Sequence, residues 1–139
     1  MKQTLLKSMS VFGLLLCFAS MSAEEIYGTL YVTMGSSSST VENFAINVTN
    51  NEDYIDINIP AFKIGKMPAT VAVDASDVEL GTEQTYSDVV TFQLITTKHY
   101  DANISADYDE NGALSFTLET VDACYLGVPF TANIEFVQY

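Results

Sequence analysis

Arginine is absent from the 139 residues, and five lysines face 18 aspartates and glutamates, for a formal net charge of −13. A phosphate backbone is bound through clustered Lys and Arg, so this composition excludes a nucleic-acid partner. By the same sum an anionic membrane surface repels the chain. Histidine occurs once, at His99, and cysteine twice, at Cys17 and Cys124. Those are too few for a zinc site, which draws on several such ligands. Any Ser-His-Asp or Cys-His system would have to use His99. That residue alternates with Tyr100 in a strand-like stretch, has Asp101 as its nearest acid, and reads as a solvent-facing side chain. No glycine-rich phosphate loop is present. The expectation is a protein that is not an enzyme and carries no metal or organic cofactor.

Long apolar runs are missing too. Residues 11–19 (VFGLLLCFA) are apolar but far short of the roughly 20 residues that span a bilayer. Lys2 and Lys7 precede them, and Ser20, Met21, Ser22 and Ala23 follow, just before Glu24 and Glu25. A basic start, a short apolar stretch and small residues make the three-part pattern of a secretory signal peptide, expected to occupy residues 1–23. A bacterial lipid-attachment signal needs a small residue before the cysteine, and Leu16 before Cys17 is large. Residues 24–139 are then one domain, large enough to bury a core and without a membrane-spanning segment. All 18 acids lie in it, opposed only by Lys63, Lys66 and Lys98. With Cys17 removed, Cys124 has no intrachain partner, and it reads as a small buried hydrophobe among Ala123, Tyr125 and Leu126.

What the domain does have is Val, Ile, Thr, Tyr and Phe in alternation, the composition of pleated strands. Ile26, Gly28, Leu30, Val32 and Met34 share one face of a first strand. Residues 35–39 (GSSSS) read as a flexible loop. Phe44, Ile46 and Val48 lead through a turn at residues 50–53 into Ile55, Ile57 and Ile59, a hairpin. Pro60 is expected to end ladder donation there, and Gly65 with Pro68 to mark a connection. Val71 and Val73 begin a short strand, residues 77–85 read as a polar loop, and residues 89–95 as the next strand. Tyr100, Ala102, Ile104 and Ala106 form a further face, then Leu114, Phe116 and Leu118, and finally Phe130, Ala132, Ile134 and Phe136. About eight short strands and no amphipathic helix predict an all-β domain, either an antiparallel barrel or a β-sandwich.

Residues 107–112 (DYDENG) begin like a calcium-binding EF-hand loop. The twelfth position, where such a loop needs a bidentate Glu, is Leu118, and Glu119 comes one residue late, which on a strand is the opposite face. A hairpin turn accounts for the same residues, with Asp109 first and Gly112 fourth. Asp74 with Asp77, and Asp107 with Asp109, read as solvated carboxylates in loops. The sequons at Asn47 and Asn103 fall inside strands.

The order Tyr27-Gly28-Thr29-Leu30-Tyr31-Val32, the hairpin into residues 55–62 (IDINIPAF), the Gly65-containing connection and the Asn111-Gly112-Ala113-Leu114 step resemble the calycin-like domain family of Bacteroidetes secreted proteins. Ala61 stands where that family's pattern has Asn. The resemblance implies a single up-and-down, lipocalin-like barrel. It implies export to the periplasm, outer-membrane surface or exterior of a Gram-negative bacterium, with no catalytic residues to carry over. A closed eight-stranded barrel either packs its interior with side chains or holds one small ligand. The leading expectation is a binding barrel for a small apolar ligand, lined by Ile55, Ile57, Ile59, Ile104, Ala106, Phe116, Leu118, Ile134 and Phe136. The other is a protein- or glycan-contacting module with a filled core, presenting Tyr27, Tyr31, Tyr54, Tyr100 and Tyr139; a protein partner is not identified by the sequence.

Overall fold

Successive side chains of a strand face opposite ways, so Ile55, Ile57 and Ile59 put three branched apolar groups on one face and Asp56 and Asn58 on the other. In the computed structural model, which describes residues 23–139, the three isoleucines are buried and the two polar residues exposed. The same alternation builds ten strands: β1 (Ala23–Met34), β2 (Ser37–Asn51), β3 (Tyr54–Lys63), β4 (Thr70–Glu79), β5 (Glu83–Gln93), β6 (Thr97–Tyr108), β7 (Leu114–Val121), β8 (Ala123–Tyr125), β9 (Val128–Phe130) and β10 (Ala132–Gln138). The expected leader apart from Ala23, and with it Cys17, lies outside the described residues.

Eight strands close into one antiparallel barrel in the order β1-β10-β7-β6-β5-β4-β3-β2, while β8 and β9 pair only with each other. This is the up-and-down barrel, and the sandwich alternative is excluded. Closure joins β1 to β10, with Leu30 opposite Phe136 and Val32 opposite Ile134. Gly28 lies on this seam. A Cβ there would stand 2.7 Å from the Phe136 ring and 2.8 Å from the Gln138 Cα, so only glycine lets the two strands approach.

Several polar stretches that read as loops are bulged strand. Residues 77–85 divide between β4 and β5 with only a tight corner between them, and residues 37–39 belong to β2. At three bulges an Asn or Asp takes positive φ: Asn43 (56°), Asp77 (56°) and Asp88 (55°). These residues tolerate the left-handed region better than most. The amide freed at two of them is taken up across the ladder. Asp77 donates its N–H to Asp56 Oδ1 at 2.8 Å, and Asp88 donates to Asp101 Oδ1 at 3.0 Å. β3 does not stop at Pro60 but runs on to Lys63, with a register shift between Ile59 and Phe62 that absorbs the missing N–H. β5 ends at Gln93, so Leu94 and Ile95 fall in a turn and are exposed.

Because each strand reverses the last, the connections alternate between two ends. The upper end holds residues 35–36, 64–69, 94–96 and 122–131. The lower holds 52–53, 80–82 and 109–113. Within residues 107–112, Asp107 and Tyr108 end β6 and Asp109 to Gly112 form the turn: Gly112 donates its N–H to the Asp109 carbonyl at 3.0 Å, and Gly112 has φ 83°. Asp109 Oδ1 also accepts the N–H groups of Asn111 and Ala113 at 2.8 and 2.9 Å.

Candidate functional site

The barrel interior is one apolar cluster, and the nine residues expected to line it all belong to it. The register stacks them in rows. Ile104, Leu118, Ile134 and Val32 lie opposite one another across four strands, and Ala106, Phe116, Phe136 and Leu30 form the next row. The Phe116 and Phe136 rings stack at 5.5 Å. All nine are between 0 and 2% exposed. A side chain bordering a hollow shows surface to a water-sized sphere whether the hollow is open or sealed. These show almost none, so at these nine positions the rows pack against one another.

Both mouths are covered. At the upper end the β8–β9 hairpin folds over, with Ala123 and Tyr125 turned in and Cys124 out. Cys124 is therefore an exposed thiol, not the buried hydrophobe its neighbours suggest, because the hairpin's alternation puts it on the outer face. Phe92 packs against Tyr125 at 4.9 Å and Phe130 at 5.5 Å, and Phe130 meets Tyr100 edge-on at 5.3 Å. The Tyr125 phenol oxygen accepts the N–H groups of Ile95 and Thr96 at 2.8 and 2.9 Å, and Tyr100 donates to the Cys124 carbonyl at 2.7 Å. Tyr100 is thus buried in this latch, unlike the exposed Tyr27, Tyr31, Tyr54 and Tyr139. Thr120, the buried polar side chain at the base of the excursion, accepts the Ala132 N–H at 2.9 Å. At the lower end the corner after β4 crosses the mouth, where Leu80 donates its N–H to the Asp53 carbonyl at 3.0 Å and Gly81 to the Ala106 carbonyl at 2.9 Å.

Open space lies on the outer wall. A shallow groove of about 320 Å³ crosses β1, β10, β7, β6 and β5. Register assembles it: Asn133 faces Glu119, which faces Asn103, while Tyr31 faces Glu135, which faces Thr117. Thr33 and Glu83 complete the rim. Tyr31 is 43% exposed and is the aromatic ring of the groove. Its polar groups are amides, hydroxyls and three carboxylates, Glu83, Glu119 and Glu135, with no cation among the lining residues. Asn103 stands out in the sequence only as a sequon and Glu119 only beside the EF-hand-like stretch, and nothing there groups these outward positions with Tyr31. They are the polar half of each alternation, and only strand register shows that they share one patch.

His99 is exposed, with Nδ1 3.1 Å from the Thr91 hydroxyl. Among the described residues no group of three or more His, Cys, Asp and Glu side chains is placed to hold a metal ion. No described helix is long and apolar enough to cross a membrane. No protein-family model, curated protein or solved structure matches the chain.

Proposed function

We propose that the protein is an exported, non-enzymatic recognition barrel of the calycin-like kind that binds on its outer wall, and that the ligand class is a hydroxyl-rich glycan. The observation that carries this reading is the groove at Tyr31. A half-exposed aromatic ring offers a face on which a sugar ring stacks, and Asn103, Asn133, Thr33 and Thr117 offer both donors and acceptors. The carboxylates Glu119 and Glu135 accept hydrogen bonds from hydroxyls and repel anionic ligands, which narrows the class to neutral or amino sugars. The leader-like residues 1–23 support export.

The interior reading, a small apolar ligand among Ile55, Ile57, Ile59, Ile104, Phe116, Leu118, Ile134 and Phe136, draws support from the eight-stranded closure alone. It requires the packed rows to part. Calorimetric titration with a panel of neutral and amino oligosaccharides separates the two. Binding by the wild type, weakened at least tenfold in Tyr31→Ala with an unchanged melting temperature, is the expected result. Failure to bind any oligosaccharide overturns the proposal, and stoichiometric uptake of an apolar dye in its place moves the site inside.

A further inference from the structure

The charge of this protein is segregated. All three lysines of the described chain, Lys63, Lys66 and Lys98, lie in the upper connections or the strand ends beside them, where Asp122 is the only acid. The lower turns and the strand ends beside them carry Glu52, Asp53, Glu79, Glu83, Asp107, Asp109 and Glu110, and no lysine. The upper end also carries the largest exposures of aliphatic side chain: Ile95 at 77%, Val128 at 65%, Leu126 at 61% and Leu94 at 44%. Leu94 and Ile95 occupy the β5–β6 turn, and Leu126 and Val128 occupy the tip of the β8–β9 hairpin. The bonds from the Ile95 and Thr96 amides to the Tyr125 phenol bring the two tips together. Lys98 lies close enough to that phenol to act on it electrostatically. Lys63 is two ladder partners from Gln93, through Thr70.

We infer that the upper end is a docking tip for an anionic lipid bilayer, with Leu94, Ile95, Leu126 and Val128 entering the headgroup boundary and Lys63, Lys66 and Lys98 facing the lipid phosphates. Apolar side chains at a loop tip, flanked by cations, match the interface in both of its properties. Net charge does not forbid this. A strand of about ten residues, tilted in the barrel, separates the two ends by about 25–30 Å. Ionic screening at physiological salt acts over about 8 Å. The acidic end is therefore some three screening lengths from a surface the lysines touch. The exposed aliphatic side chains stand on two turns, and a bilayer, unlike a protein partner, takes them up without a shape-matched surface.

Vesicle flotation tests this with the full chain and with residues 23–139, which contain every strand of the closed barrel. The shorter chain is expected to float with vesicles of phosphatidylcholine containing about one third phosphatidylglycerol, and less with phosphatidylcholine alone. Replacing Lys63, Lys66 and Lys98 together by Gln should weaken binding to the anionic vesicles about a hundredfold, near fivefold for each lysine. Ile95→Ser with Leu126→Ser should weaken it at least tenfold; both positions are exposed, so unchanged thermal melting confirms that the barrel persists. No flotation of the shorter chain, or flotation indifferent to both sets of substitutions, overturns the inference. Salt-sensitive self-association in sedimentation without flotation overturns it in favour of a second copy docking through its acidic end.

Discussion

The two ends of the barrel solve the same problem differently. Each must cover the mouth of a closed sheet. The lower end does so with tight turns and one corner, Leu80-Gly81, whose two amides bond across to the residue before β3 and to β6. The upper end uses an inserted hairpin, three interlocking aromatic contacts and a tyrosine that accepts two backbone amides. The lower cover is mostly backbone, so its side chains are free to be acidic and solvated. The upper cover is mostly side chain, and its tips are left apolar and beside lysines. A whole-chain charge conceals this division. A sum over residues cannot show that the few cations stand together.

The largest break in this comparison comes from the aromatic latch. Phe92 is buried, 3% exposed, and touches both Tyr125 and Phe130. Phe92→Ala should cost about 3–5 kcal/mol in chemical denaturation, the range for trimming a buried phenylalanine. The amides of Ile95 and Thr96 should then exchange with solvent faster than those of the lower turns, because the ring that seats their acceptor is gone. Equal acceleration at both ends would mean that the hairpin is not held separately.

A smaller effect is expected at the lower end. Asp109→Ala removes two exposed local hydrogen bonds, to Asn111 and Ala113, while the β6–β7 pairing on either side is kept. A cost of about 0.5–1 kcal/mol follows from that loss. Calcium at about 1 mM should leave the melting temperature unchanged, since a site with a dissociation constant near 10 μM would add about 2.7 kcal/mol. A rise of several degrees would make residues 107–112 a metal loop after all.

Alternation of apolar and polar residues is enough to pick out the inward rows, from Leu30 on β1 to Phe136 on β10. The turn at residues 109–112 is equally legible, because its Asp and Gly positions carry their own chemistry. Legibility ends where polar residues belong to strands and only resemble a loop. Asp77 and Asp88 sit in bulges whose amides are answered by Asp56 and Asp101 one strand away. A partner that distant in sequence leaves no local signal. Cys124 departs from expectation for a related reason: which side of a three-residue strand faces the core depends on the hairpin's docking and not on its own composition. Tyr100 is the opposite case, buried in phase with Ala102, Ile104 and Ala106 on β6, as that strand's alternation requires. The Tyr31 groove is hidden because it is made of the outward residues of five strands, joined only by register.

The finest distinction between the ends is written in two phenols. At the lower end Tyr108 is half-buried. Burial raises its pKa above the ordinary value of 10.0, the Asn50 amide that donates to it at 3.1 Å offsets part of this, and Glu24 adds to the rise. At the upper end burial pushes the Tyr125 phenol up, but the Thr96 and Ile95 amides and Lys98 outweigh it, and the net direction is down. Tyr100, raised by burial, and Tyr27, raised by its bond to Glu25, move with Tyr108. In a spectrophotometric titration Tyr125 should therefore ionise ahead of Tyr108. The consequences for stability have opposite signs. Tyr108 has a folded pKa above its unfolded one, so its contribution is whole below about pH 10 and is lost as pH rises through the folded value. Tyr125 has a folded pKa below its unfolded one, so its contribution is present above about pH 10 and is lost as pH falls through the folded value. Tyr108→Phe should delay the alkaline loss of stability, and Tyr125→Phe should remove the gain that precedes it. If both substitutions delete the same segment of the titration curve, the two ends do not differ in the way their hydrogen bonds require.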